Sequence, residues 1–416
     1  MEAHSWKGQQ EMASNNKLKK ASNPLAIYFP FSDEMHTFAH VFKKHLAAML
    51  AILFYLFIGV VAIQLFYFLV VFGKFAYAKL QKSAPKKIPI SVIVCAKNEE
   101  ENVAKFIPIL AEQDYPDFEI ILIDDASSDS TLDLFEEFEK QYSNIRLVKV
   151  VNNEAFWGNK KFALTLGIKA AKKEYLLFTD ADCYPTSKDW IKEMSSNFTT
   201  EKTIVLGYGA YEKIAGSFLN KLIRFETLLT AVQYFSWAKM GHPYMGVGRN
   251  LAYKKEDFFN VNGFIDHMKI RSGDDDLFIN QAAKGSNTTI CFSPKSITYS
   301  QPKNTLKDWF IQKRRHVSTA QFYKAFDRMQ LGGFYASQLL FMGLSIVLLA
   351  FQYQWIVVVS LIGFRYLFSW LTLGFAAGKL KEKDVMYWFP ILEWSLIVLQ
   401  LNVYLTNLFS KPVHWK

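Results

Sequence analysis

The sequence predicts an α/β domain with a largely parallel sheet, joined to about four transmembrane helices and to helices at the membrane surface. Short β-branched runs alternate with helical patterns over residues 90–210, which is typical of a parallel sheet with helices on both faces. Long apolar stretches flank the mixed region on both sides. The composition, 51% hydrophobic and 21% charged residues, fits a polar domain attached to a membrane part.

The first apolar stretch, Leu46–Phe72, has 27 residues without Asp, Glu, Lys, Arg or His. As a helix it would measure about 40 Å at ~1.5 Å per residue, enough to cross a hydrocarbon core of ~30 Å with tilt. It is too long and begins too late for a cleavable signal peptide, so we expect a membrane anchor after a polar segment, residues 1–45. Residues 334–410 are expected to supply three more spans, at Phe334–Tyr353, Trp355–Ala377 and Val385–Phe409.

Lysines beside these stretches predict the orientation. Five follow the first stretch and three lie between the third and fourth: Lys74, Lys79, Lys82, Lys86, Lys87, Lys379, Lys381 and Lys383. The positive-inside rule places both groups, and the globular residues 86–330, in the cytoplasm, although Lys43 and Lys44 argue against it. We therefore expect an integral membrane protein, in a bacterial cytoplasmic membrane, with the globular domain inside.

The net charge of +10 and the three cysteines add little functional information. Basic residues near anionic headgroups account for the charge, and no motif for reading nucleic acid accompanies it. Cys95, Cys183 and Cys291 show no disulfide framework and no zinc spacing.

The globular region is expected to begin with four strands and three helices. The strands are predicted at Ser91–Cys95, Glu119–Ile123, Arg146–Val150 and Tyr175–Thr179, and the helices at Val103–Gln113, Thr131–Tyr142 and Lys160–Ala171. Ligands of parallel sheets bind beyond the carboxyl ends of the strands. Here that edge is predicted to gather five acids: Glu99, Asp124, Asp125, Asp180 and Asp182.

Each of these acids also has an ordinary structural explanation in a turn or a helix start, and Asp129 or Ser130 is expected simply to cap the next helix. Turns seldom need five acids at one edge, however. Asp180 and Asp182 would repel each other, and a Mg²⁺ or Mn²⁺ ion bound with a phosphorylated ligand would cancel that repulsion. Lys160 and Lys161 either meet the phosphates or form a solvated helix start.

Seven motifs in this region resemble those of the membrane-anchored family 2 inverting glycosyltransferases, which have a GT-A, Rossmann-like fold. They occur in the family's order between about residues 91 and 316: "VIVCAKNEE", "LIDDASSDST", "NKKFALTLG", "FTDADC", "GVGRNLAYKKEDF", "SGDDDLF" and "QKRRH". A single Asp-x-Asp is a weak signal, but seven ordered matches are strong. The last motif is similar to that of the synthase and ceramide glucosyltransferase branches.

The resemblance implies roles for particular residues. Ala96, Glu99 and Asp125 would contact the uridine part of a nucleotide-sugar, with Asp124 nearby. Lys160 or Lys161 would touch the diphosphate. Asp180 would help hold the donor, and Asp182 would bind the metal. Gln312, Arg315 and His316 would form the "QxxRW" motif.

In "SGDDDLF" one aspartate would be the catalytic base. The acid-Asp pair of the family matches Asp274 and Asp275 best, which favours Asp275, although a shift by one residue would select Asp274 or Asp276. A solvated acidic turn is the weaker explanation, because Leu277, Phe278 and Ile279 follow at once. Arg315, with Arg314 as a further candidate, would stabilise the departing diphosphate.

Two departures from the family pattern are visible. Cys95 and Lys97 occupy positions where the family often has other residues, with little consequence. His316 replaces the Trp of "QxxRW", which leaves the acceptor undefined, although histidine can also stack, hydrogen-bond or carry charge.

Two amphipathic segments are candidates for the membrane surface. Ile214–Met240 suits core packing and the interface equally, whereas the aromatic and basic residues of Thr305–Met329 favour the interface. Arg365 and Glu393 lie within predicted membrane helices, where isolated charges are costly. We expect the two to pair, the alternatives being a lipid phosphate or an unpaired, snorkelling arginine.

The expected function is metal-dependent transfer of a sugar from a nucleotide-diphosphate donor, a UDP-sugar by the resemblance, to a lipid or lipid-linked acceptor. A processive polysaccharide synthase is second, since it usually needs more than four membrane helices. A non-catalytic membrane scaffold and a nucleotidyltransferase are further alternatives. The scaffold leaves the intact acidic motifs unexplained, and the nucleotidyltransferase leaves "SGDDDLF" with "QKRRH" unexplained.

Overall fold

The computed structural model describes residues 31–80, 86–151, 160–270 and 272–410. Residues 1–30 of the predicted polar segment, and Lys82, lie outside the described residues. The chain divides into two compact units, residues 1–55 and 56–416. The described part of the first unit is helical, and the second unit contains the sheets and the other helices.

The strands include the four predicted ones, each within one residue at either end. In chain order the strands are β1 (Ile90–Ala96), β2 (Phe118–Asp124), β3 (Ile145–Lys149), β4 (Tyr175–Asp180), β5 (Cys183–Pro185), β6 (Ile204–Leu206), β7 (Gly209–Tyr211), β8 (Leu251–Lys254), β9 (Thr288–Ile290) and β10 (Thr298–Ser300).

Within the described ranges the strands form two sheets. The larger has the order β3-β2-β1-β4-β8-β6-β9, and only β8 runs antiparallel to its neighbours. The smaller sheet has the order β5-β10-β7. The predicted α/β fold with a largely parallel sheet is confirmed.

The central strand β1 shows why the larger sheet forms. Its sequence, ISVIVCA, is buried along almost its whole length, as expected for a parallel strand covered on both faces. Val92 and Val94 pack into the core on one face, and Ile93 packs into the core on the other. Successive side chains of a strand point to opposite faces, so one apolar run supplies both cores.

The helices cover both faces of the sheet and continue into long apolar segments. In chain order they are α1 (Phe31–Leu65), α2 (Gly73–Ala76), α3 (Glu100–Ala111), α4 (Thr131–Gln141), α5 (Lys160–Ala170), α6 (Trp190–Ser195), α7 (Phe218–Lys239), α8 (Lys255–Asn260), α9 (Asp276–Ala282), α10 (Leu306–Thr319), α11 (Ala325–Ala350), α12 (Trp355–Lys379) and α13 (Phe389–Phe409).

Four helical segments among the described residues are long and apolar enough to cross a membrane: His40–Ala76, Ala325–Ala350, Trp355–Lys379 and Lys383–Phe409. Their ends differ from the predicted ones. A π-helical stretch, Phe66–Phe72, links α1 to α2. A 3₁₀ turn, Lys383–Trp388, precedes α13. Pro390 lies in the first turn of α13, where its missing N–H costs nothing.

The two amphipathic segments behave differently. Within Ile214–Met240, α7 is buried around most of its surface, so core packing explains its apolar pattern. Thr305–Met329 is not one helix but α10, a turn at 320–324 and the start of α11. Apolar side chains on this segment are exposed, including Leu306, Phe322 and Met329. The interfacial character of the second segment stays a prediction.

The predicted pairing of Arg365 with Glu393 is confirmed. Two guanidinium nitrogens of Arg365 donate to the two carboxylate oxygens of Glu393, each at 2.6 Å, and both side chains are buried. Gln64 accepts a further bond from Arg365 at 2.6 Å and donates to Ser337 at 2.6 Å. The pair therefore ties α12 to α13, and Gln64 connects it to α1 and α11.

Candidate active site

The carboxyl ends of β1, β2 and β4 meet at one edge, as predicted. Ala96 pairs in register with Asp124, and Cys95 pairs with Asp180. Both Asp124 and Asp125 are buried. Asp124 accepts from the N–H of Ser127 at 3.3 Å to either carboxylate oxygen, which is the turn-forming role that its position allows.

Among the described residues, the carboxylate of Asp125 makes no turn contact like that of Asp124. Its N–H donates to the carbonyl of Ala96 at 2.9 Å, which fixes the backbone. Burial raises the pKa of its carboxyl group above the ordinary value, and Lys97 partly opposes that rise. A buried acid of this kind is stabilised when a ligand donates a hydrogen bond to it.

Glu99 and Asp129 organise the starts of α3 and α4. Glu99 accepts from Asn102 Nδ2 at 2.6 Å, and its own N–H donates to Thr131 Oγ1 at 2.9 Å. Asp129 accepts from the N–H groups of Thr131 at 3.0 Å and Glu100 at 3.3 Å. The predicted capping role is confirmed for Asp129, whereas Ser130 makes no side-chain cap bond.

Lys160 connects two acidic motifs that are far apart in sequence. Its ammonium lies 2.8 Å from Asp180 Oδ1 and 3.1 Å from Asp274 Oδ2. Burial disfavours the charged ammonium, but Asp180 and Asp274 outweigh burial and raise the pKa of Lys160 well above its ordinary value. Lys160 is therefore a permanent cation between the strand edge and the "SGDDDLF" motif.

Lys161 points elsewhere, although the sequence could not separate the two lysines. Its side chain is 1% exposed, and its ammonium donates to the carbonyls of His267 at 2.8 Å and Ile270 at 2.9 Å. Burial lowers its pKa to about 8. Of the two lysines, Lys160 reaches the acidic cluster and Lys161 holds the loop before that motif.

Asp180, Asp182 and Cys183 form a group that could hold a metal ion. Their ligand atoms all lie within 4.8 Å of one another. Burial and then the neighbouring Asp180 raise the pKa of Asp182, whereas the pKa of Asp180 is lowered because the ammonium of Lys160 outweighs burial. The Cys183 thiol lies 3.4 Å from Asp182 Oδ1, and burial raises its pKa, so it stays protonated. Two carboxylates suit Mg²⁺ or Mn²⁺, which take their other ligands from water and phosphate.

Arg249 is the cationic residue near this group that sequence reasoning missed. One of its terminal nitrogens donates to the carbonyl of Ala210 at 3.2 Å and to Ser300 Oγ at 2.9 Å. Its guanidinium lies 4.4 Å from the ring centre of Tyr211. It also acts electrostatically on Asp180 and Asp182, lowering the pKa of each.

A glycine makes room for this arginine. A Cβ at Gly209 would lie 2.9 Å from Arg249 Cβ, closer than real contacts allow. The signal in the sequence was a charged residue two positions before a buried strand, inside the motif "GVGRNLAYKKEDF". Without the smaller sheet that accepts its hydrogen bonds, nothing local showed where the side chain would go.

The three aspartates of "SGDDDLF" have three different environments. Asp274 pairs with Lys160. Asp275 precedes α9 and accepts from the N–H groups of Asp276 at 2.8 Å and Gly248 at 2.7 Å. Asp276 is buried and accepts from Thr319 Oγ1 at 2.5 Å and from the hydroxyl of Tyr323 at 2.7 Å.

Asp274 and Asp275 line a cavity that Asp276 does not reach. Lys160, Asp180 and Gly248 contribute to the same cavity, whose deeper walls are apolar. Burial, followed by the charges of Asp274 and Asp276, raises the pKa of Asp275 to about 7. A carboxylate of this basicity can accept a proton near neutral pH.

The side chains of the "QKRRH" residues of α10 also point in different directions. Arg315 is half-buried and interacts electrostatically with Asp274 and Asp180. Arg314 points to α13, where it donates to Asn407 Oδ1 at 2.8 Å and to the carbonyl of Ser410 at 2.7 Å. Gln312 is half-buried and His316 is exposed. The structure therefore holds Arg314 at α13 and does not bring it to the acidic cluster, where the departing diphosphate would lie.

Comparison with known proteins agrees with this geometry. The model of the family described as "Glycosyl transferase family 2" matches residues 91–275. The chain is 27% identical over 288 residues to the "Probable glycosyltransferase YdaM" of Bacillus subtilis, covering 65% of this chain and 66% of that protein. It is 25% identical over 226 residues to the poly(ribitol-phosphate) beta-glucosyltransferase of Bacillus spizizenii, covering 50% and 35%. The chain thus spans between about a third and two thirds of these relatives.

A solved structure shows the same fold. The mannosyltransferase PcManGT from Pyrobaculum calidifontis, in complex with GDP-Man and Mn2+, aligns with a TM-score of 0.53 and 18% identity, covering 80% of this chain and 98% of that chain. Residues 91–275 therefore form a domain that matches glycosyl transferase family 2, and the chain has the GT-A fold.

Proposed function

We propose that this protein transfers a sugar from a nucleotide-diphosphate donor to a hydroxyl group of a lipid or lipid-linked acceptor, with inversion at the sugar. The observation that carries the proposal is that Asp275, a proton acceptor, and Lys160, a cation, line one cavity with Asp180 of the strand edge. The match of residues 91–275 to glycosyl transferase family 2 supports a sugar-transfer reaction.

Asp275 acts as the base in this proposal. Its carboxylate accepts the proton of the acceptor hydroxyl while that oxygen forms a bond to the anomeric carbon and the bond to the diphosphate breaks. The N–H of Gly248 and the cap of α9 hold the carboxylate. Asp274 serves this reaction less well, because Lys160 already neutralises it.

Positive charge stabilises the departing diphosphate. Lys160, Arg249 and Arg315 are the cations that the structure brings to the acidic cluster. Asp182 and Asp180 would hold a Mg²⁺ or Mn²⁺ ion, which when bound neutralises phosphate charge. Fixed charges of this kind act without reorganisation during the reaction.

The donor nucleoside would lie along the ends of β1 and β2. Asp125 and Glu99 offer carboxylates there for hydrogen bonds from a base and a ribose, and Ala96 pairs in register with Asp124 beside them. A uridine nucleotide follows from the resemblance of these motifs to the family. Direct binding of UDP, compared with GDP, would separate the two nucleotide classes.

The membrane supplies the acceptor in this proposal. The four apolar helical segments are long enough to span a bilayer, and α10 exposes apolar side chains beside basic ones. We propose that the catalytic domain faces the cytoplasm, following the lysines at the ends of the spans. The cavity would then lie near the headgroups, where a lipid hydroxyl is presented.

The proposed activity can be tested with membranes that contain the protein. They are incubated with labelled nucleotide-sugars and Mn²⁺ or Mg²⁺, and the labelled lipid is identified by mass spectrometry. We expect a lipid product with one added sugar, formed at least about 100-fold more slowly with Asp275→Asn. A long polymer would indicate a processive synthase, and no transfer from any donor would contradict the proposal.

The pH dependence of the reaction should follow Asp275. Because the base must be ionised and its pKa is raised to about 7, kcat/KM should fall about tenfold per pH unit below that value and level off above it. Initial rates across the range give this profile. A rate constant that stays level down to about pH 5 would exclude a carboxylate of this pKa as the base.

Removal of the metal should abolish transfer. We expect EDTA to stop the reaction and Mn²⁺ or Mg²⁺ to restore it, and Asp182→Asn to lower the rate by roughly 100-fold or more, since one charge-stabilising group is lost. Binding of Mn²⁺ with nucleotide, followed by electron paramagnetic resonance, provides a readout apart from activity. Full activity in EDTA, or unchanged Mn²⁺ binding by Asp182→Asn, would contradict this assignment.

A further inference from the structure

We propose that Asp276 and Asn280 are positioning residues that tie the base Asp275 to the segment where the chain leaves α10 and enters the apolar helix α11. This inference rests on the proposed function. The two residues are four positions apart on α9, so they lie on the same face of that helix. Both side chains are buried and contact the segment 319–327, called the entry segment below.

Asp276 makes the first connection to the entry segment. Its Oδ2 accepts from Thr319 Oγ1 at 2.5 Å and from the Tyr323 hydroxyl at 2.7 Å, and its Oδ1 accepts from the N–H of Leu277 at 2.7 Å. The two hydroxyl donors are almost completely buried. A buried carboxylate is costly without such partners, so the bonds hold the helix start against the entry segment.

Asn280 makes the second connection, one helical turn later. Its amide nitrogen donates to Asp327 Oδ2 at 2.8 Å and to the carbonyl of Tyr244 at 3.0 Å. Its amide oxygen accepts from the N–H of Lys324 at 3.0 Å. The hydrogen bonds of Asp276 and Asn280 lie on successive turns of α9, which has seven residues. Together they fix the position of α9 along its axis and its rotation about that axis.

Asp275 caps α9, so the base moves whenever α9 moves. It is bonded to the N–H of Asp276, and its second anchor is the N–H of Gly248 on the sheet side. A shift of the entry segment would therefore move the base relative to the cations of the cavity. Misplacement of a reacting group by about 1 Å can cost roughly 100-fold in rate.

The same contacts connect the entry segment to the charge of the base. Burial raises the pKa of Asp276, and the two hydroxyl donors oppose that rise by favouring its ionised form. The negative charge of Asp276, after burial and the charge of Asp274, contributes to the raised pKa of Asp275. The other charged groups that face Asp275 are Asp274 on its own segment, Lys160 and Lys161 on α5, and Arg315 on α10. Removing the donors leaves those four in place and makes Asp276 easier to protonate, which lowers the pKa of Asp275.

The test compares Tyr323→Phe and Thr319→Val with Thr319→Ser, which keeps the hydroxyl, and with Tyr335→Phe. Tyr335 also donates one hydroxyl bond, to the carbonyl of Ile397 at 3.2 Å, but touches neither α9 nor the cavity. We expect the first two variants to lower kcat roughly tenfold or more, with unchanged nucleotide-diphosphate binding. Their pH profiles should shift to lower pH. Thr319→Ser and Tyr335→Phe should match the wild type.

Each possible result of this test either supports or overturns the inference. It is overturned if Tyr323→Phe and Thr319→Val keep the wild-type kcat and pH profile. A loss of kcat with an unshifted profile, or an equal loss in Thr319→Ser or Tyr335→Phe, points to general destabilisation and also overturns it. If the wild-type protein transfers no sugar, the proposed function itself fails, and that result is read before any variant is compared.

Discussion

Replacing Asp275 with Asn is expected to lower the rate of sugar transfer by about 10²–10⁴, the range that a general base contributes. Asparagine keeps the size of the side chain and can still accept from the N–H of Gly248, which Asp275 does at 2.7 Å. It cannot take a proton from the acceptor. Binding of the nucleotide diphosphate should remain, so kcat falls far more than affinity. Single-turnover measurements with saturating donor show this separation.

Matched changes at the neighbouring aspartates provide the control. Asp274→Asn removes the partner of Lys160 at 3.1 Å, so it should weaken donor binding as well as turnover. Asp276→Asn keeps an acceptor for Tyr323 and should lower kcat less than Asp275→Asn. If Asp274→Asn alone abolishes turnover while Asp275→Asn remains active, the base is Asp274 and the assignment to Asp275 is wrong.

Replacing Arg365 with Met is expected to destabilise the packing of the apolar helices by about 3–5 kcal/mol, because Glu393 would be left buried without its partner. The bidentate pair, at 2.6 Å on both sides, is fully enclosed. Arg365 also lies within 5 Å of the ring centres of Phe68, Phe341 and Tyr366. The yield and thermal midpoint of the purified protein in detergent report the loss.

The double variant Arg365→Met with Glu393→Leu is the informative comparison. It removes both charges, and buried ion pairs exchanged for apolar residues of similar size are often no less stable. We therefore expect the double variant to recover most of the stability lost in the single one. An Arg365→Met protein as stable as the wild type, or a double variant worse than the single, would contradict the pairing as a stabilising element.

Much of the fold could be read from the sequence because burial leaves a periodic pattern. The runs at Ser91–Cys95, Glu119–Ile123 and Tyr175–Thr179 are mostly apolar, as expected of central parallel strands. Their acidic ends were therefore predictable as one edge of the sheet. Segment ends were less certain: the stretch Thr305–Met329 is interrupted at 320–324, where no Gly or Pro marks a break.

The directions of individual side chains were not predictable. Lys160 and Lys161 are adjacent and chemically identical, yet one meets Asp180 and the other meets two backbone carbonyls. Arg314 and Arg315 differ in the same way: Arg314 bonds to α13, whereas Arg315 interacts electrostatically with Asp274 and Asp180. Neighbouring positions of a helix point about 100° apart, so which of two lysines enters a site depends on the packing of the whole helix.

By itself the sequence determined the alternating strands and helices, the four apolar segments and the acidic strand ends, because each is a local pattern of burial and charge. Only the tertiary structure decided that Asp275, not Asp276, faces the cavity, and that Arg249 joins the acidic pair. Those choices depend on partners distant in the chain, such as Tyr323 for Asp276 and Ser300 for Arg249. A hydrogen bond between distant residues leaves no periodic trace in the sequence, since its geometry exists only once the elements have packed.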